Sequence, residues 1–188
     1  MKEVEFYSYD DEVWYRDSDE HTEPLTEHSR EVIDTMFDTI RSEYPEAFEK
    51  MSQIYKANEP NVIYYKYVVV KRFVKCNFSK VDTTYIDIES FGGQGRMNFE
   101  KVDCPLRGEC PFEDIICRPR FSSKLTSREL EVARHWYEGR TMSEIAEKMY
   151  LSYDTINNHI RRINNKLGVH SKAEFMKYVD AKRLFDKK

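Results

Sequence analysis

The chemistry this sequence could perform is concentrated in two places. The first is a set of four cysteines, of which Cys104, Cys110 and Cys117 fall within one short segment rich in proline and glycine, with Cys76 further upstream. Thiolates bind zinc or iron–sulfur clusters in fours, and loops containing Pro and Gly let separated ligands converge. The spacing contains no tight two-residue knuckle, and cysteine is also a small buried hydrophobe, so the readings at this level are two: a structural zinc or iron–sulfur site on Cys76, Cys104, Cys110 and Cys117, or four packed thiols.

The second place is near the carboxy terminus. Ile156, Ile160, Ile163 and Leu167 recur at helical spacing. The opposite face carries Tyr153, Asp154, Asn157, Asn158, Arg161, Arg162, Asn165 and Lys166. Asparagine can bond adenine through two hydrogen bonds in the major groove, and arginine can do the same with guanine. A solvated helix face is the plainer reading of any polar stripe, but amides and guanidiniums at successive exposed turns favour contact with DNA.

The elements around this helix are legible. Thr126-Ser127-Arg128-Glu129, Thr141-Met142-Ser143-Glu144 and Ser171-Lys172-Ala173-Glu174 each have the form of a capping box, in which a hydroxyl and a carboxylate satisfy each other's free backbone N–H groups. Ser152 can cap the helix of interest and Gly168 can end it. The spacing predicts four short helices, the second and third joined by a tight turn at Tyr150-Leu151, which is helix-turn-helix geometry.

These residues carry a resemblance. Leu125 through Val132, then Glu144-Ile145-Ala146, Leu151-Ser152 with Thr155-Ile156 and His159, and Asn165-Lys166-Leu167-Gly168-Val169 are similar, in order, to the LuxR/GerE-type DNA-binding domain over roughly residues 122–185. The resemblance implies a third helix (152–167) that enters the major groove and a fourth that commonly mediates dimerisation. By position, it implies backbone contacts at Thr155 and His159, base readout at Asn157, Asn158 and Arg161, and a phosphate contact at Lys172; Arg162 and Lys166 complete the expected DNA-binding set. The family often has lysine where Asn157 stands, and Tyr153 and Asp154 are idiosyncratic.

The rest of the chain bounds the partners. Its 188 residues include 30 Lys and Arg against 34 Asp and Glu, but residues 121–188 hold 14 basic and 9 acidic side chains while the first 120 hold 16 and 25. The basic part should approach a polyanion. Residues 26–40 and 45–55 read as helices, whereas Val62–Phe78, Thr83–Ile88 and Met97–Val102 read as strands by their β-branched and aromatic content, with a turn at the glycines of 91–95. The first 24 residues read as an edge strand or a loosely held arm. The expected fold is an α+β domain (1–117) with a cysteine-rich knuckle at 104–117, a linker (118–124), and an all-α helix-turn-helix domain (125–188). Nothing in residues 1–103 resembles a receiver domain or an acyl-homoserine-lactone-binding domain.

The expectation is a cytoplasmic transcription regulator acting as a homodimer on double-stranded DNA, with Met176 and Leu184 as the dimer contacts and the amino-terminal domain sensing a signal ligand or protein partner. Two other readings are a protein-interaction or anti-regulatory module, in which the acidic half masks the basic one, and a metal-dependent enzyme with a DNA-binding tail. No apolar run long enough to span a bilayer, no secretory leader, no nucleophile motif and no phosphate loop is visible, and catalysis is not expected.

Overall fold

The computed structural model describes residues 3–78, 86–91 and 94–185. The expected strand residues 83–85 and the glycines at 92 and 93 lie outside them. The chain divides into two compact units, Met1–Ser122 and Ser123–Lys188.

The first unit is an antiparallel sheet with a layer of helices. β1 (Val4–Tyr9) and β2 (Glu12–Asp17) form a hairpin whose two-residue loop, Asp10-Asp11, has positive φ at both positions. That backbone matches the twist of the flanking strands. β3 (Thr22–Pro24), β4 (Ile88–Phe91) and β5 (Gln94–Met97) complete the order β3-β2-β1-β4-β5. The amino terminus is therefore neither an arm nor an edge, because β1 is the central strand. A reciprocal clasp joins it to the chain before β4: Phe6 N–H donates to Asp87 Oδ2 at 2.7 Å, and Asp87 N–H to Glu5 Oε2 at 3.1 Å.

α1 (Arg30–Glu43) and α2 (Pro45–Ile54) follow the expected periodicity, with Pro45 at the first position of α2. The segment expected as a strand at 62–78 is instead a sixteen-residue helix, α3 (Val62–Asn77). Asn61 caps it by accepting from Tyr64 N–H, and Val69, Val70, Phe73, Val74 and Asn77 are buried at helical spacing. β propensity describes the fit of a side chain to a half-buried pleated surface. Here the same side chains fill the interface with α1, α2 and β2 in helical form. The expected strand at 97–102 is also shifted: pairing ends at Met97, where Asn98 N–H donates to Asp87 O and Glu100 N–H donates to Asn77 O, turning the chain toward the end of α3.

Residues 118–122 of the expected linker are tied into the first unit. Arg118 N–H donates to Asn77 Oδ1 and Ser122 N–H to Glu43 O, and the Phe121 ring packs edge-on against Tyr44.

The second unit consists of α4 (Ser127–Tyr137), α5 (Met142–Met149), α6 (Tyr153–Leu167) and α7 (Lys172–Lys182) around one apolar core. Trp136 stacks on Phe175 at 4.4 Å between ring centroids, which joins α4 to α7. Among the described residues no helix is long and apolar enough to cross a membrane.

Candidate nucleic-acid interface

α6 is positioned by its ends and by one face. Ser152 accepts from Thr155 N–H at 3.2 Å, and Gly168, with φ of +67°, ends the helix in the left-handed region that glycine enters without strain. Ile156, Ile160, Ile163 and Leu167 are buried. Side chains four apart on a helix stack on one face, so this stripe turns Asp154, Asn158, Arg161, Arg162 and Asn165 outward, and all five are exposed.

The helices that hold α6 are fixed by their own caps. Full capping boxes are present at Thr126/Glu129 and Thr141/Glu144. The third expected box is half formed: Ser171 accepts from Glu174 N–H, but the Glu174 carboxylate reaches past the cap to His170 N–H at 2.8 Å. α5 ends at Tyr150, whose left-handed φ of +54° makes the sharp turn into Leu151 and Ser152. Arg128 fastens α4 to this turn by donating to Met149 O at 3.3 Å.

Arg161 is exposed on the outward face, and the other expected DNA-binding residues divide into three groups. Thr155, Asn158, His159 and Arg162 line one shallow depression of about 150 Å³ along α6. The His159 ring is half-buried and its Nδ1 has no hydrogen-bond partner. Asn157 is half-buried on the other flank of the helix, and Lys172 is exposed at the first position of α7. Lys166 is different. Its side chain is exposed, but its ammonium reaches back to donate to the buried Glu129 Oε2 at 2.6 Å. Burial alone would push the Glu129 carboxyl up, but Lys166 and the bonds from Thr126 hold it down at about 2. Lys166 is thus engaged as a strut between α4 and α6.

Two residues outside the expected set stand beside the interface. Tyr150 is 96% exposed in the turn between α5 and α6, and Tyr153 is exposed at the start of α6. Their signal in the sequence is an aromatic side chain with no place in the apolar stripe. Met176 and Leu184, expected as free apolar surface, are half-buried and pack against the core of the second unit. Leu184 is drawn in because its N–H donates to Val179 O as the last turn closes.

Residues 123–179 match the family described as "Bacterial regulatory proteins, luxR family" (GerE). This segment is a LuxR-family helix-turn-helix DNA-binding domain. The family is a DNA-binding and non-enzymatic one. The LuxR-type domain is 40% identical over 60 residues to Fimbriae Z protein of Salmonella typhimurium, a match covering 32% of this chain and 29% of that one. It is 39% identical over 62 residues to the oxygen regulatory protein NreC of Staphylococcus aureus, covering 33% and 29%. The matched region is therefore less than a third of either relative's length. No solved structure matches the chain.

The first unit carries its own candidate site. Phe6, Tyr15, Asp17, Glu23, His28 and Met36 line a cavity of about 400 Å³ between the sheet and α1. Tyr15 donates to Glu23, and burial together with that carboxylate pushes the phenol up to about 12, so it remains a donor at neutral pH. The four cysteines form no disulfide and are half-buried.

Proposed function

We propose that this protein is a transcription regulator that binds double-stranded DNA as a homodimer, with α6 in the major groove. The observation that carries the reading is the outward face of α6. Asn158, Arg161 and Arg162 stand exposed on the second helix of a doubly capped helix-turn-helix, opposite a fully buried apolar stripe. Asn158 and Arg161 are the base readers in this reading, and Asn157 adds a contact on one flank. Thr155, His159, Arg162 and Lys172 hold phosphates, and the depression along α6 gives a phosphate oxygen a half-buried imidazole to meet. Such contacts set register, and the base edges set sequence preference.

In the first unit, the 400 Å³ cavity is large enough for a small polar signal molecule, because Asp17, Glu23, His28, Arg30 and Glu31 share its wall with Val4, Phe6, Met36 and Ile88. The experiment that tests the function is capture of genomic DNA fragments by the full-length protein. Recovery of a shared sequence motif, lost when Asn158 and Arg161 are both replaced by alanine, is the expected result. Equal capture of all fragments by both proteins would leave only non-specific charge attraction.

A further inference from the structure

We propose that Tyr153 reads a thymine through its C5-methyl group and that Tyr150 meets the adjoining phosphate backbone, so that the DNA-facing surface extends past the start of α6. The inference rests on the reading of α6 as a major-groove helix, and adds the base that its amides and guanidiniums leave unread. Exposure is the first argument. Among the described residues of the second unit, the large hydrophobic side chains left exposed are Tyr150, at 96%, and Tyr153, at 52%. The other tyrosines of the unit are used within it: Tyr137 donates to Asp180 Oδ1, and Tyr178 packs on the apolar core. Neither Tyr150 nor Tyr153 stacks on a ring or makes a hydrogen bond among the described residues. The two are continuous with the face of α6 that carries Asn158 and Arg161.

Position is the second argument. Tyr153 opens α6, and Asn157 and Arg161 follow at four-residue steps on the same side of the helix. The depression lined by Thr155, Asn158, His159 and Arg162 runs toward the opposite flank. In a helix-turn-helix the first residues of the recognition helix reach base edges. Asp154 stands exposed beside Tyr153, and its carboxylate is repelled by phosphate, so this end of α6 favours base edges over the backbone. Tyr150 lies three residues earlier, in the turn, with a left-handed φ of +54° that glycine would adopt without strain. An aromatic side chain held there gains no packing within the unit. Its hydroxyl is a donor of the kind that meets phosphate oxygens on DNA.

Chemistry is the third. Asparagine matches the edge of adenine and arginine that of guanine. Neither matches the methyl group that thymine presents in the major groove, which takes an apolar partner. On α6 that partner is Tyr153, because Ile156, Ile160, Ile163 and Leu167 are buried and the remaining side chains are polar.

The test uses the full-length protein on the operator that genomic capture recovers, with each thymine replaced singly by deoxyuridine, which removes the methyl group and nothing else. For the unaltered protein, replacement of at least one thymine should lower affinity about fourfold, the worth of one buried methyl group. Tyr153→Ala should bind the thymine operator at least that much more weakly and lose nothing further when that thymine is replaced. Tyr153→Phe, which keeps the ring, should retain the full deoxyuridine effect. Tyr150→Phe should weaken binding to operator and scrambled duplexes alike. Equal sensitivity of the unaltered protein and Tyr153→Ala to deoxyuridine at every position would overturn the thymine contact. Tyr150→Phe binding as the unaltered protein does would overturn the backbone contact. Failure of this inference alone leaves operator preference dependent on Asn158 and Arg161, whereas recovery of no operator removes both it and the reading on which it rests.

Discussion

Lys166 and Glu129, thirty-seven residues apart, form a 2.6 Å ion pair in which the glutamate side chain is buried and the lysine side chain is 37% exposed. The same carboxylate also accepts from Thr126 N–H at 2.7 Å, closing the cap of α4. One buried group therefore fixes both the start of α4 and the angle of α6 that presents the DNA-facing side chains. Replacing Lys166 with methionine should destabilise the second unit by roughly 1–3 kcal/mol, because a buried carboxylate loses a charged partner. Thermal unfolding compared with Lys172→Met, which is exposed, provides the check; equal melting would show the strut to be idle.

The pair also sets an acid limit. The Glu129 carboxyl is depressed from about 4.5 to about 2 in the folded state. Its contribution to stability is complete above the unfolded value and is lost as pH falls through the folded one. The second unit should lose stability from about pH 4.5 down to about 2 by this route, and Glu129→Gln should flatten that part of the profile. Denaturant midpoints measured across the window would decide; a variant with the same slope as the unaltered protein would contradict the assignment.

These relationships show what a sequence does and does not disclose. Capping residues lie three apart, so the second unit can be read from local spacing. Lys166 reads as one more cation on a polar face because its partner is on another helix. α3 was hidden for a different reason: Val68-Val69-Val70 and the aromatics around them suit a strand locally, and only burial against α1, α2 and β2 selects the helix. The clamp from Asn77 to Ile116 and Arg118 was hidden too, because it spans some forty residues and leaves no local pattern.

Asn77→Ala should therefore do more harm than its size suggests. The side chain is buried; it donates to Phe73 O and Ile116 O in buried bonds and accepts from Arg118 N–H in a partly buried one. Its removal leaves buried backbone groups unsatisfied, at roughly 1–3 kcal/mol each. Hydrogen exchange should show loss of protection at Arg118, whereas the amides of α6 should be unchanged. Uniform protection in the variant would mean that the clamp is not what holds the segment.

Arg161 and Arg162 should respond differently when truncated. Arg161→Ala should weaken operator binding by roughly 1–3 kcal/mol and relax the preference at one base position, as for a side chain bonded to guanine. Arg162→Ala, in the depression with His159, should weaken binding to all sequences and lower the salt dependence by about one ion. Titrations on operator and scrambled duplexes at several salt concentrations separate the two. If both variants lose affinity in parallel on both duplexes, α6 is attached to DNA by charge without reading it.

Assembly on DNA gives the last test. One helix-turn-helix unit reads only a few base pairs, while two related by a two-fold axis read both halves of a palindrome about one helical turn apart. Footprints should therefore cover an inverted repeat, and sedimentation of the complex should show two protomers per site. Met176 and Leu184 are half-buried on the core of the second unit, so charged replacements there perturb packing as well as any contact between copies. Ala173→Glu and Lys177→Glu alter exposed positions on the same helix, α7, without touching that core. If α7 joins two copies, at least one of these exchanges should lower affinity for the full repeat at least tenfold while leaving half-site binding and melting unchanged. A single protomer on the operator, with both variants binding as the unaltered protein does, would remove α7 as the dimer surface and the dimer with it.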